Sequence, residues 1–274
     1  MQPCINGATT MPYALEADLD AAATAGFPLV EIWAGKLGAY LEKHSAADLR
    51  GALGDRGLGV AALCPYGLRC FGNWREGLEA VRRAVAFAAE IGCSLLLVCP
   101  DAPGPEVAPA DAPKLAGERA RAYAEAAAAA GVRLAIEPLG GHRFVPGPRE
   151  ALRIIDAALH PALGLMMDTF HYHKSGVPDA DVRSVPPHLW TILHINDVPA
   201  GGEPARLQDA DRLYPGEGAL PLAATLRYFR SIGFQGAVSA EVFRREYWEL
   251  PIGEINRRAH AGVVAALDAA GARP

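Results

Sequence analysis

No stretch of this chain approaches the roughly 18 consecutive apolar residues that a membrane-spanning helix needs, which excludes a helical membrane protein. Cationic excess is missing too. The 26 Lys and Arg stand against 31 Asp and Glu, and no basic stripe is present to track a phosphate backbone, so nucleic acid is not an expected partner. Cysteine is sparse. Cys4, Cys64, Cys70, Cys93 and Cys99 make an odd count with no CxxC pair, which fits reduced thiols in a cytoplasm better than a disulfide frame or a zinc ribbon. Met1-Gln2-Pro3-Cys4 lacks the charged region and apolar core of a signal peptide, which supports the same compartment. Finally, no Gly-rich phosphate fingerprint follows the first strand-like run, and no organic cofactor is expected.

What is present is an ordinary globular composition, 51% apolar and 21% charged over 274 residues, enough for two small domains or one large α/β domain. Short apolar runs read as strands over residues 4–7, 28–33, 58–63, 95–99, 132–137, 163–168, 190–195 and 236–242. Helical patterns fall over 13–25, 45–56, 74–91, 113–130, 149–159, 179–185, 220–232 and 254–270. The clearest is 74–91, with Leu78, Val81, Val85 and Ala88 on one face and Gly92 as a stop; Ser45 offers an N-cap to the helix it opens. Eight strands alternating with helices, without a compositional break, predict a closed (β/α)8 TIM barrel in one domain spanning 1–274. An open doubly wound sheet fits less well.

Four of the later strands each deliver a metal-capable side chain at the C-terminal end. They are Val132-Arg133-Leu134-Ala135-Ile136-Glu137, Gly164-Leu165-Met166-Met167-Asp168, Trp190-Thr191-Ile192-Leu193-His194 and Ala237-Val238-Ser239-Ala240-Glu241. In a barrel those ends converge on one rim, where catalytic groups sit. An ionised carboxylate in such a place needs a cation or hydrogen-bond donors. Three carboxylates and an imidazole form an oxygen-rich set suited to one Mn²⁺, Mg²⁺ or Zn²⁺ ion. Asn6, Glu31 and Trp33, at the ends of the first two strands, and His142, beside Gly140-Gly141, are expected to line the mouth and touch substrate. Asp197, three residues after His194, reads equally as the carboxylate that orients that imidazole or as a cap for its own loop.

The order Glu137, Asp168-Thr169-Phe170-His171, His194, Arg212-Leu213-Tyr214-Pro215-Gly216-Glu217-Gly218, Glu241 resembles the sugar phosphate isomerase/epimerase superfamily with its xylose isomerase-like barrel. Cys4-Ile5-Asn6-Gly7-Ala8-Thr9-Thr10, Tyr40-Leu41-Glu42-Lys43-His44-Ser45 and Glu241-Val242-Phe243-Arg244-Arg245-Glu246-Tyr247 resemble its inosose (2-keto-myo-inositol) isomerase branch, and the likeness covers nearly the whole chain. Pro138-Leu139-Gly140-Gly141 departs from the Phe-Val-Gly of that branch. The resemblance implies that Glu137, Asp168, His194 and Glu241 bind one metal ion, that Glu137 and Glu241 also move protons, and that His171 and Arg212 contact substrate. It implies an isomerase of inositol catabolism that shifts a carbonyl between adjacent carbons of a polyhydroxy ketone, inosose first. Such a shift proceeds through an enediol. One carboxylate removes the proton α to the carbonyl, a second returns a proton at the neighbouring carbon, and a divalent ion stabilises the negative charge that develops.

Ketose 3-epimerases, hydroxypyruvate isomerases and inosose dehydratases on the same barrel share that first proton removal and stand as alternatives. An apurinic endonuclease would need further ligands after strands two and three and in the late loop. Here strand three ends in Cys64-Pro65, and the loop carries Asp209-Ala210-Asp211-Arg212. A non-catalytic sugar-binding protein would have no use for both glutamates. The expectation is a cytoplasmic, metal-dependent isomerase of a small polyhydroxy ketone, and self-association into a homo-oligomer is compatible with this composition.

Overall fold

Alternation of side chains along a strand decides which residues face the axis of a closed sheet and which face the surrounding helices. The computed structural model, which describes residues 1–273, shows eight parallel strands closed into one barrel in chain order. They are β1 (Gln2–Asn6), β2 (Leu29–Trp33), β3 (Gly59–Leu68), β4 (Leu95–Pro100), β5 (Arg133–Ile136), β6 (Leu163–Asp168), β7 (Trp190–Ile195) and β8 (Ala237–Ala240). Closure is made by β1, whose Cys4 pairs with Leu29 on one side and with Ser239 on the other.

The helices are α1 (Leu15–Ala25), α2 (Ala34–Leu41), α3 (Ala46–Asp55), α4 (Trp74–Glu90), α5 (Ala112–Ala129), α6 (Pro148–Ala158), α7 (Thr169–Lys174), α8 (Asp179–Arg183), α9 (Leu222–Ser231), α10 (Arg245–Trp248) and α11 (Ile252–Ala269). Local chemistry sets several of their ends. Ser45 and Asp48 form a reciprocal capping box at the start of α3. Gly26, at φ 92°, takes the left-handed conformation that ends α1. On α4 the predicted face Leu78, Val81, Val85 and Ala88 is buried. Each of its larger members contributes about 1.5–3 kcal/mol of burial, so Val81→Asp would expel the helix from the barrel wall. None of the helices among the described residues is long and apolar enough to cross a membrane.

The sequence pattern does not reveal α2, α7 or α10, and it ends β3 five residues early. The 58–63 run continues through Pro65 and Gly67 to Leu68, with a cis Cys64–Pro65 bond. Segment α7 looks strand-like because Phe170 and Tyr172 carry strand propensity. It folds as a helix because the Asp168 carboxylate accepts from the N–H groups of Phe170 (2.7 Å) and His171 (3.1 Å).

The barrel interior is a separate small cluster that includes Cys4, Ala62, Leu97, Ala135, Met166 and Ile192. Adding two residues to each gives Asn6, Cys64, Cys99, Glu137, Asp168 and His194. The strand period therefore aims these side chains inward, at the C-terminal end of the barrel.

Candidate metal centre

Glu137, Asp168, His194 and Glu241 are all buried, and one ligand-capable atom from each lies within 4.8 Å of the others. Two follow their strands immediately, and two are the terminal or penultimate residues of theirs. His194 Nδ1 lies 3.2 Å from Glu241 Oε2 and 3.7 Å from Asp168 Oδ2, yet it has no hydrogen-bond partner in its buried position. On the opposite edge of the ring, Nε2 is 3.0 Å from both oxygens of Glu31, which comes from β2. A carboxylate on Nε2 keeps a proton there and aims Nδ1 at the cluster, the usual arrangement behind a metal-binding histidine.

Arg212, in the loop after β7, is the permanent counter-ion. One of its terminal nitrogens donates to Asp168 (2.6 Å) and Glu241 (3.0 Å), while the other donates to Asp209 (3.1 Å) and His171 Nε2 (3.1 Å). Its guanidinium lies between the rings of Phe170 and Phe243, at 4.5 and 5.2 Å from their centroids. Asp168 also accepts from Asn196 Nδ2 at 3.2 and 3.3 Å.

These contacts set the protonation of the cluster. Burial, then the like charge of Glu241, push the Glu137 carboxyl up to about 8. Burial alone would raise Asp168, but the Arg212 guanidinium outweighs it and holds this carboxyl well below the usual range. Burial would also lower His194, but Glu31 and Glu241 hold it well above the ordinary imidazole value. Burial brings His171 down to about 4. It is therefore neutral, and because Nε2 accepts from Arg212 its proton is on Nδ1.

The charge count tests whether a metal ion fits. Glu31, Glu137, Asp168 and Glu241 place four buried carboxylates around one guanidinium, leaving three charges uncompensated. Two protons, on Glu137 and His194, reduce these to one, and so does one divalent ion bound in their place. With an unpartnered buried Nδ1 and carboxylate oxygens around it, the donor set suits such an ion.

Above the cluster is a cavity of about 490 Å³, lined in part by Trp33, Glu137, His142, His171, Arg212 and Glu241. Asp168 and His194 do not line it, so of the four clustered residues only the two glutamates face the cavity. Trp33 packs edge-on against Phe243, 5.7 Å between centroids, and the two give the cavity an apolar wall.

Two residues expected to touch substrate lie elsewhere. Glu31 is spent on His194. Asn6 is wholly buried, with Nδ2 3.0 Å from Cys64 Sγ and Oδ1 accepting from Ala8 N–H at 2.9 Å, so it caps the turn after β1. Of the two readings of Asp197, the structure supports the loop cap. Its carboxylate accepts from the N–H groups of Val198 (3.0 Å), Gly216 (3.1 Å) and Leu220 (2.8 Å). Three residues past an inward-facing His194 it has the opposite parity, a signal already present in the sequence. The same parity rule marks Cys64 and Cys99 as cavity residues. Lys174 also lines the cavity, and the sequence pattern misses it because it does not reveal α7.

The model of the xylose isomerase-like TIM barrel family matches residues 19–267. An inosose isomerase from Bacillus velezensis is 29% identical over 91% of this chain and 91% of its own length. A 3-dehydroshikimate dehydratase from Pseudomonas putida is 29% identical over 85% of this chain, which spans 36% of that enzyme. Among solved structures, the IolI protein with a bound zinc atom superposes with a TM-score of 0.89 at 27% identity, covering 98% of both chains.

Proposed function

The chain belongs to the xylose isomerase-like TIM barrel family, and on that premise we propose that it is a divalent-metal-dependent isomerase of the cytoplasm. It moves a carbonyl between adjacent carbons of a polyhydroxy ketone, with 2-keto-myo-inositol as substrate. One observation carries this reading: Glu137, Asp168, His194 and Glu241 converge within 4.8 Å at the floor of a cavity that, of the four, only the two glutamates line. The similarity to inosose isomerases over nine-tenths of the chain supports the substrate.

The four clustered residues would hold the ion, and a bound Mn²⁺, Mg²⁺ or Zn²⁺ would supply Lewis-acid stabilisation of negative charge on the substrate oxygens. The zinc in IolI supports zinc among these. Glu137 and Glu241 reach the cavity from strands three apart. One takes the proton from the carbon beside the carbonyl and the other returns one at the next carbon. Arg212 keeps Glu241 supplied with a counter-charge at 3.0 Å and is itself steadied by neutral His171. His171, Arg212, Trp33 and His142 contact the substrate.

Dehydration of a β-hydroxy ketone is the second reading, favoured by the 29% identity to the Pseudomonas putida dehydratase; it begins with the same proton removal. NMR of 2-keto-myo-inositol in D₂O, with metal-loaded protein and then with chelator, decides between them. A new ketone regioisomer carrying deuterium, lost on chelation, is the expected result. Loss of water in place of carbonyl transfer would make the protein a dehydratase, and absence of any exchange would overturn both readings.

A further inference from the structure

Two cations line the cavity, Arg212 and Lys174. The first is held by Asp168, Glu241, Asp209 and His171. The second is not. The Lys174 ammonium lies 6.0 Å from the Phe170 ring centroid and has no carboxylate or carbonyl partner among the described residues. The loop after β5 is shaped to admit it: a Cβ on Gly140 would sit 2.9 Å from both Lys174 Cβ and Cδ, so only glycine lets the lysine stem cross there. Ser175, next in the chain, accepts from Gly141 N–H at 3.1 Å and ties loop to helix. On the same loop, His142 Nδ1 accepts from Phe144 N–H (3.3 Å) and Val145 N–H (2.9 Å). The proton of this imidazole is thereby fixed on Nε2, leaving one free donor on a residue that lines the cavity.

A ketone held at the carboxylate cluster by its carbonyl and the neighbouring hydroxyl leaves its remaining oxygens to other donors. We propose that Lys174, with His142 from the same cavity lining, binds those remote hydroxyl oxygens and so determines which polyhydroxy ketone the site accepts. This inference rests on the function proposed above. Because glycine contact and the Ser175 tie already order the lysine stem, little side-chain freedom is lost when it binds.

The test compares Mn²⁺-loaded wild type, Lys174→Met and Lys174→Arg, by calorimetric binding of 2-keto-myo-inositol and by steady-state kinetics. Losing one hydrogen bond from a charged donor raises Kd and KM about tenfold. The expected pattern is therefore a rise of that size in Lys174→Met, with kcat within about twofold, an unchanged Tm, and most of the binding recovered in Lys174→Arg. Hydroxyacetone carries only the carbonyl and one adjacent hydroxyl, and its deuterium exchange should be the same in wild type and Lys174→Met. An unchanged Kd for 2-keto-myo-inositol, or an equal loss with hydroxyacetone, would overturn the assignment. If wild type binds 2-keto-myo-inositol without converting it, the proposed reaction falls while the Kd comparison still judges Lys174. If it does not bind, both fall.

Discussion

Glu31→Gln separates the charge of the carboxylate behind His194 from its shape. In the wild type both oxygens of Glu31 lie 3.0 Å from Nε2, and both side chains are completely buried. Glutamine keeps the length and can still accept the Nε2 proton through its carbonyl, so the ring stays oriented. What disappears is the negative charge that makes Nδ1 more basic. Replacing partners of this kind costs about 10- to 100-fold in metal affinity, or ~1.4–2.7 kcal/mol. Glu31→Ala should lose at least as much affinity and also stability, because a buried Nε2–H is left without an acceptor at a cost of about 1–3 kcal/mol. Competition with a fluorescent zinc chelator reads the affinity, and calorimetric melting of metal-free protein reads the stability. If Glu31→Gln keeps wild-type metal affinity while KM rises, Glu31 touches substrate after all and the assignment to His194 is wrong.

Three further outcomes follow from the same geometry. Arg212→Met removes the only guanidinium that bonds Asp168 and Glu241 among the described residues; urea unfolding of metal-free protein should show a loss of about 3–5 kcal/mol, smaller when metal is bound, and a loss that metal does not reduce would contradict the charge count. Asp197→Ala strands three loop N–H groups and should cost about 1–3 kcal/mol of stability with metal affinity intact, whereas a fall in affinity would reinstate Asp197 as the partner of His194. Metal binding should weaken as pH falls, because below about 8 the Glu137 proton must leave before this carboxylate can bind a metal. His194, also raised, adds a second proton. Calorimetry in buffers of different ionisation enthalpy should find between about one and two protons released per ion, and none released would contradict a metal-free cluster that holds protons on Glu137 and His194.

What was legible in the sequence is what alternation carries. Ala135 and Glu137, Met166 and Asp168, Ile192 and His194 are two residues apart on one face, so an apolar inward residue announces the polar inward residue after it. The order of eight such strands was likewise enough to predict the closed barrel, which the structure shows. Pairing between distant strands was not legible. Glu31 and His194 are separated by 163 residues, and nothing local distinguishes a carboxylate that will meet an imidazole from one that will meet a substrate. Parity places Asn6 inside but does not say that Cys64 and Ala8 will occupy both ends of its amide. Lys174 escaped for another reason: the Asp168 cap turns an aromatic, strand-like segment into a helix, and only that helix brings the lysine over Gly140.

Whether Glu137, Asp168, His194 and Glu241 form a metal centre is decided by the number of ions held per chain. Equilibrium dialysis of the wild type against Zn²⁺ or Mn²⁺, with bound metal counted by mass spectrometry, should find one equivalent per chain. The Asp168→Asn, His194→Ala double variant, folded by circular dichroism, should retain none. One equivalent persisting in that variant, or none in the wild type, would contradict the claim that these four side chains gather around a single ion.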